Sequence, residues 1–257
     1  MAAGVDLVAV QGLPEIGAGD RIGELIAGAV RTQGGELRGG DVVVVSQKVV
    51  SKAEGRVREL SRVKPTDRAR ELAERLDKDP RLVELILGES TELVRAEGGV
   101  LIVETSQGLV CANAGIDASN VSGDDQVTLL PEDPDASARR IRAELGAVGN
   151  AAPAVVIADS FGRPWRLGQT DVAIGCAGLM PLDDRRGQPD REGRALAATQ
   201  IAIADQVAAA ADLTRTKDAG LPACVVRGLA GFVSADDGPG ARALRRPAAD
   251  DLFRRRD

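Results

Sequence analysis

Residues 154–171 read AVVIADSFGRPWRLGQTD, and this stretch decides how the middle of the chain is predicted to fold. An apolar run typical of a buried strand ends abruptly at Asp159-Ser160. A glycine, two arginines and the only tryptophan of the chain follow. Because side chains at the end of a buried strand often face a cleft, we expect Asp159 and Ser160 to border a site.

The sequence on either side of this stretch carries a mixture of strand and helix signals. We predict strands near residues 5–10, 42–45, 92–95, 100–104, 109–112, 154–158, 171–177 and 223–226. We predict helices near residues 21–32, 66–78, 80–87, 133–145 and 195–213, with Asp20 capping the first. Because strict β-α-β alternation is missing, the pattern favours an α+β fold, with mixed sheets and flanking helices, over a doubly wound sheet.

Composition argues against several classes of function. The chain is 44% hydrophobic, as expected for a globular protein with a real core, but only 2% aromatic. Base-stacking platforms need interleaved aromatic rings, and a net charge of −6 disfavours nonspecific nucleic-acid binding. The sequence has neither a signal peptide nor an apolar run long enough to span a membrane. We therefore predict a cytoplasmic protein with no nucleic-acid or membrane partner.

The types of side chain present restrict the possible chemistry. Histidine is absent, which excludes every mechanism that uses an imidazole base or an imidazole metal ligand. The three cysteines are far apart and form no CxxC motif, so buried thiols are expected rather than zinc ligands or disulfides. If the protein is an enzyme, its chemistry depends on carboxylates, lysines, arginines, hydroxyls and hard cations.

Two polar clusters carry oxygen ligands. Asp159-Ser160 offers a carboxylate and a hydroxyl, a pair that suits Mg²⁺ or Mn²⁺, although a helix cap or an Asx turn would explain it equally well. Residues 113–121, NAGIDASNV, also follow an apolar strand, and Asp117 could give a second carboxylate to the same cation. A polar surface turn is the alternative explanation for this second cluster.

Two further clusters carry positive charge. In SQKVVSK, residues 46–52, an extended chain would present Ser46, Lys48 and Lys52 on one face, where the lysines could neutralise phosphates. The alternative is an edge strand protected by lysine. Arg163 and Arg166 flank the tryptophan and could bind a carboxylate or a phosphate, or could pair with nearby acids instead.

Taken in order, these clusters resemble the coenzyme F420-0:gamma-glutamyl ligase family. The similarity rests on GLPEI at 12–16, VVVVSQKVVSKAEGR at 42–56, NAGIDASNV at 113–121 and VIADSFGRPWRLGQTDVAIGCAGL at 156–179. It covers nearly the whole chain. It implies that residues 1–257 form one domain with the family's unusual α+β fold and that the protein is a homodimer. Many actinobacterial relatives continue into a nitroreductase-like C-terminal domain that these residues do not contain, so we expect either a stand-alone ligase or one part of a two-domain protein.

The resemblance also implies an activity. Members of the family join L-glutamate through an amide bond to the lactyl carboxylate of the deazaflavin precursor F420-0, and some add further gamma-linked glutamates. GTP supplies the energy through an acyl phosphate, with Mg²⁺ or Mn²⁺ and often K⁺ assisting. Two other functions stay open: a related metal-dependent nucleotide ligase acting on another carboxylate, and a non-catalytic nucleotide-binding relative.

Carried over by motif, the resemblance assigns specific roles. The residues implied to bind GTP are Leu13, Pro14, Glu15, Ile16, Ser46, Gln47, Lys52 and Asn120. The residues implied to bind the metal ions are Asp117, Asp159 and Ser160. Asp159 and Lys52 are thereby expected to be catalytic. Arg166 is added to the catalytic residues from its chemistry alone, as a group that holds a substrate anion.

Overall fold

A computed structural model describes residues 4–118, 125–149, 151–215 and 220–253. The strands in these ranges are β1 (Asp6–Ala9), β2 (Val42–Ser46), β3 (Val57–Glu59), β4 (Ser90–Glu97), β5 (Val100–Thr105), β6 (Val110–Ala112), β7 (Gln126–Thr128), β8 (Ala154–Arg163), β9 (Arg166–Ala177), β10 (Asp183–Asp184), β11 (Gln200–Ile201) and β12 (Ala223–Arg227). The α-helices are α1 (Ile22–Thr32), α2 (Gln47–Ala53), α3 (Asp67–Leu76), α4 (Pro80–Gly88), α5 (Pro134–Val148) and α6 (Ile203–Asp212).

A five-stranded sheet forms the centre of the fold, in the order β1-β12-β2-β8-β9. Strands β2 and β8 are parallel, and the other neighbouring pairs are antiparallel. The parallel pairing ends at Ser46 and Ala158, because β2 passes directly into α2 at Gln47. Beyond that point β8 pairs with β9 as a long two-stranded ribbon that leaves the body of the sheet.

Both faces of this sheet are buried, so its central strands are apolar throughout. Alternate residues of β2 serve two cores, as the two-residue period of a strand requires. Val43 and Val45 pack on the side of α1 and α5, whereas Val42 and Val44 pack on the side of α6. This arrangement explains why the run VVVV shows no alternation of polar and apolar residues.

A smaller lobe lies beside the sheet. Helices α3 and α4 cover the antiparallel strands β4, β5 and β6 with a separate apolar cluster that includes Leu72, Ile86, Leu101 and Val103. Strand β6 also contacts β8, so the lobe is attached to the central sheet. The lobe matters for the site because the turn after β6 carries Asp117.

The predicted α+β class is confirmed, and most predicted elements are present. Thr66 and Asp133 accept hydrogen bonds from the backbones of α3 and α5 as N-caps. The predicted cap at Asp20 is wrong: its carboxylate accepts from the Gly17 N–H at 2.8 Å, and α1 begins after Arg21 without a side-chain cap. No helix among the described residues is long and apolar enough to cross a membrane.

Four predicted elements differ from the structure. The strand predicted for 171–177 begins five residues earlier, at Arg166. The strand predicted to stop at Ala158 continues to Arg163, because pairing with β9 satisfies its backbone whatever its side chains are. Residues 46–52 are not extended: α2 begins at Gln47, because its apolar residues pack into the core. The helix predicted for 195–213 begins only at Ile203, because the backbone before it pairs with residues 183–190, including strand β10.

The cysteines are buried and free, as predicted. Burial raises the pKa of the Cys111 thiol to about 12, and the negative charge of Asp159 adds to the rise. Burial likewise raises the pKa of Cys176 to about 12, with smaller contributions from Asp135 and Asp205. These thiols therefore stay protonated and unreactive at neutral pH.

The close approach of β9 to the start of α5 predicts a large cost for one added methyl group. A β-carbon at Gly175 would lie 2.3 Å from the carbonyl oxygen of Pro134. We expect Gly175→Ala to lower the free energy of unfolding by about 3 kcal/mol, as overpacking does. The control is Gly162→Ala on the same ribbon, where a β-carbon meets nothing within 4 Å. Equal midpoints for the two variants in urea unfolding would contradict this packing.

Candidate functional site

The candidate site lies where the parallel pair β2 and β8 separates. Strand β2 turns into α2 at Gln47, and the next residue of β8, Asp159, is the first one past its last β2 partner. Ligands of mixed and parallel sheets commonly bind at the carboxyl ends of parallel strands, where the chain diverges. Asp159 therefore stands at a point where such sites commonly form, although its own strand does not end there.

Asp159 is held in an unfavourable environment for an ionised carboxylate. Burial is the main reason that its pKa rises from 3.8 to about 7, and the negative charges of Asp171 and Asp117 add to the rise. The backbone N–H of Ser160 and the charge of Lys48 act in the opposite direction. A positive ion bound here would offset the repulsion among the carboxylates, so the site favours a cation.

The second predicted metal ligand, Asp117, lies on the same side as α2. Its carboxylate accepts a hydrogen bond from Lys48 Nζ at 2.8 Å, and its backbone exchanges two hydrogen bonds with Thr128. The tight turn before it contains Asn113 and Ala114 in the left-handed region, with φ of 52° and 55°. Such angles are uncommon for residues other than glycine, and here they bring the chain back from β6 toward α2.

The third predicted metal ligand, Ser160, is placed differently. Neighbouring side chains of a strand point to opposite faces, and Ser160 Oγ donates to Asp171 Oδ1 at 2.7 Å on the α6 side. The other oxygen of Asp171 pairs with Arg215 at 2.6 Å, and both side chains are buried. The structure therefore does not bring the Ser160 hydroxyl together with the carboxylate of Asp159 as a chelating pair.

The Asp171–Arg215 ion pair was not identified from the sequence. Its partners are 44 residues apart, and neither belongs to a motif that predicts the other. Counting residues outward from the turn of the β8–β9 hairpin could have suggested that Asp171 lies opposite Ser160. The two residues are direct partners across β8 and β9. No sequence signal points to Arg215.

Two segments expected to contact GTP, the loop Leu13–Ile16 and helix α2, are joined by an ion pair. Lys52 Nζ pairs with Glu15 at 2.5 Å, which ties the loop Leu13–Ile16 to this helix. Ile16 is buried in the core, and Gly19 donates to the carbonyl of Ala53. The loop and the helix therefore form one wall beside the carboxylates.

Three other residues were also predicted to bind GTP. Ser46 ends β2 and is partly exposed. Gln47 is buried: its side-chain oxygen accepts from Ser51, and its amide nitrogen has no hydrogen-bond partner among the described residues. Asn120 lies outside the residues that the structure describes.

Lys48 and Lys52 lie on one side of α2. We expected the shared side because an extended chain alternates its side chains, and that reason is wrong. The segment is helical, and residues four apart on a helix also share a face. Lys48 contacts Asp117 and Lys52 contacts Glu15. The helix thus presents two ammonium groups, one next to Asp117 and one next to Glu15. This arrangement suits a bound polyphosphate.

Arg166 lies at the far end of the ribbon. It is the direct partner of Arg163 across the strands, four residues beyond Asp159 along β8. At about 3.4 Å per residue this is roughly 14 Å from the carboxylate cluster. Within one chain the structure therefore does not bring Arg166 to Asp159.

The donors fit a small, hard divalent cation. Among residues 4–118, 125–149, 151–215 and 220–253, no group of three or more Asp, Glu, Cys or His side chains is placed to hold a metal by itself. Mg²⁺ usually keeps several waters and binds through one or two carboxylates together with substrate phosphates. Asp159 and Asp117 match that requirement, and neither is a ligand that favours zinc or copper.

A separate cavity lies away from Asp159. A cavity of about 620 Å³ opens beyond the C-terminal end of α2 and is lined by residues that include Glu54, Arg56 and Arg140. Its charges are paired with each other: Arg140 lies 2.6 Å from Glu54, and Ser137 also donates to Glu54. The carboxylate cluster around Asp159 lies outside its lining, so size alone does not identify the site.

Comparison with known proteins assigns the family. The F420-0:Gamma-glutamyl ligase family matches residues 12–228. A Methanothermobacter thermautotrophicus protein named Coenzyme F420:L-glutamate ligase is 46% identical over 98% of this chain and 99% of its own length. Proteins of the same name from Methanopyrus kandleri and Methanocaldococcus jannaschii are 44% and 39% identical, over 92% and 85% of this chain and 92% and 86% of their own lengths. The chain belongs to the F420-0:gamma-glutamyl ligase family.

Proposed function

We propose that this protein joins L-glutamate through an amide bond to the lactyl carboxylate of F420-0, and that it uses GTP to do so. The name shared by its relatives supports the reaction and the two substrates. The observation that carries the proposal is the position of Asp159, with its raised pKa, near Asp117 and Lys48, while Lys52 lies one turn further along the same helix. This is a cation site next to a phosphate site.

The reaction needs an activated acceptor, because a carboxylate is a poor electrophile. In the proposed path the lactyl carboxylate oxygen attacks the γ-phosphorus of GTP, and the bond to GDP breaks. The resulting acyl phosphate has phosphate as its leaving group. The glutamate amine then attacks the carbonyl carbon, phosphate departs, and the amine loses a proton as the amide forms.

The chain's own residues would bind and position the reactants. Asp159 and Asp117 would hold Mg²⁺ or Mn²⁺, which when bound neutralises charge on the phosphates. Lys52 would contact the phosphates directly, while Lys48 keeps the Asp117 carboxylate oriented. The loop Leu13–Ile16 would hold the nucleotide through its backbone.

Six parts of the sequence prediction stay predictions. Asn120 is proposed to contact the nucleotide. Ser160 is proposed to assist the metal only if its hydroxyl gives up the hydrogen bond that it donates to Asp171. Arg166 is proposed to hold an anionic group of the acceptor away from the reacting carboxylate. The potassium ion, the homodimer and the cytoplasmic location remain expectations from family resemblance and composition.

Mass spectrometry of the deazaflavin product tests the proposed function. Incubation with F420-0, L-glutamate, GTP and Mn²⁺ should add the mass of one glutamyl unit, or of several, and should release one GDP for each amide bond. GDP release with a different carboxylate acceptor only would indicate a ligase of another substrate. Nucleotide binding without GDP release under any of these conditions would indicate a non-catalytic relative.

Metal binding should depend on pH in a direction set by Asp159. Because its pKa is about 7 in the folded protein, a proton competes with the cation below that pH. We expect the affinity for Mn²⁺ to fall by about tenfold for each pH unit below 7 and to level off above it. Calorimetric titration of the metal-free protein from pH 5.5 to 8.5 measures this. An affinity independent of pH would contradict the proposed role of Asp159.

A further inference from the structure

The tip of the β8–β9 ribbon exposes aromatic and apolar surface. Trp165 is 75% exposed, and its ring centroid lies 5.0 Å from that of Phe253, which is 72% exposed. Leu167 beside them is 98% exposed. The chain has only four aromatic residues, so placing two of them together in solvent runs against the usual burial of such side chains.

The tip is also positively charged. Residues 161–170 contain two arginines and no acidic residue, in a chain whose net charge is −6. The guanidinium of Arg163 donates to the carbonyls of Leu167 and Gly168, which fixes it at the turn. Arg166 is exposed directly across the ribbon from it. Charge and aromatic surface together suit a flat, anionic heteroaromatic compound.

One face of the ribbon connects the tip to the carboxylate cluster. By the alternation of a strand, Asp159, Phe161 and Arg163 of β8 share a face, and Phe161 packs against the core on the side of α2. The distance from Asp159 to Arg163 along the strand is roughly 14 Å. An elongated molecule with a carboxylate at one end and an aromatic ring at the other can therefore lie along this face.

We propose that the ribbon is the binding surface for the deazaflavin acceptor, with Trp165 as the platform for its ring. The inference rests on the proposed function, since it assumes that the carboxylate is activated beside Asp159. The acceptor's ring stacks on Trp165, its anionic linker lies against Arg163 and Arg166, and its carboxylate reaches the metal end. This places Arg166 in recognition of the acceptor and explains its distance from Asp159.

Substitution of Trp165 tests the proposal. Trp165→Ala should raise the KM for F420-0 by about tenfold or more, as loss of an aromatic stacking partner does. The KM values for GTP and glutamate, and kcat at saturating F420-0, should stay within about twofold of wild type. Trp165→Phe should retain most of the affinity. Val5→Ala is the matched control, because Val5 is also apolar and 55% exposed but lies next to β1, at the edge of the central sheet opposite β9.

Direct binding separates this inference from the proposed function. Equilibrium dialysis of F420-0, followed by its own absorbance, should show the same weakening in Trp165→Ala whether or not any glutamate is transferred. If wild type binds the deazaflavin but transfers no glutamate, the proposed function fails and the platform stands. An unchanged affinity in Trp165→Ala overturns the platform. If Trp165→Ala keeps its affinity for F420-0 but loses an oligomer in sedimentation, the platform is also overturned. The tip of the ribbon would then be a contact between copies of the chain.

Discussion

Replacing Asp159 with Asn is expected to abolish ligation while making the protein more stable at alkaline pH. The loss of a carboxylate that holds the cation should lower kcat by roughly three orders of magnitude, since a bound metal contributes several kcal/mol of charge stabilisation. Coupled assay of GDP release with F420-0 and glutamate measures this. The expected loss of kcat is large because the chain has no histidine that could serve as a metal ligand in place of Asp159.

The gain in stability follows from the pKa of Asp159. Because the folded protein binds this proton more tightly than the unfolded chain does, ionisation of Asp159 costs folding free energy. The cost is absent near pH 4 and complete above pH 7, so Asp159→Asn should raise the free energy of unfolding on the order of 1–3 kcal/mol at pH 8 and by little at pH 4.

The control for this variant is Asp236→Asn, an exposed carboxylate with no assigned role. It should leave both turnover and stability unchanged. Metal-free protein is required for the unfolding measurement, because a bound cation would stabilise wild type only. Turnover close to wild type in Asp159→Asn, or a stability difference that does not grow with pH, would remove Asp159 from the proposed site.

Replacing Lys52 with Ala is expected to weaken GTP binding by about 10- to 100-fold, the amount given by a lost charge-assisted phosphate contact. The side chain of Lys52 is only 16% exposed and lies against Glu15, so it is already positioned beside the loop Leu13–Ile16. The loss should be larger for GTP than for GDP if Lys52 reaches the terminal phosphates. Isothermal titration with each nucleotide in the presence of Mg²⁺ measures the difference.

Two companion variants make this result specific. Glu15→Gln removes a negative charge next to the phosphate site and releases Lys52, so GTP affinity should be retained or increased. Lys64→Ala removes an exposed lysine far along the chain and should have no effect. If Lys52→Ala binds GTP as tightly as wild type, the lysine serves only to hold the loop, and the phosphates bind elsewhere.

The sequence predicted the apolar strands and the starts of α3 and α5 well because their signals are local. The valines of β2 and the helix starts at Thr66 and Asp133 each depend on residues within a few positions. The change from strand to helix at Ser46-Gln47 could not be predicted this way. It depends on the apolar side of α2 packing into a core built from distant strands.

The prediction of the site from the sequence missed details for a related reason, because they too depend on distant parts of the chain. Asp159 lies near enough to Asp117 and Lys48 for their charges to act on its pKa. The sequence could not show that Asp159 and Ser160 would face opposite sides of a continuing strand. That outcome depends on β9, which pairs with β8 beyond the point where β2 departs.

The direct passage of β2 into α2 has a consequence for protein engineering. No loop separates the two elements, so the ammonium groups are fixed to the most buried strand of the molecule. Redesign of acceptor choice should therefore leave this junction intact and diversify residues 161–170 instead. Residues 162–169 are exposed, so their side chains can be varied without disturbing the strand that carries the ammonium groups.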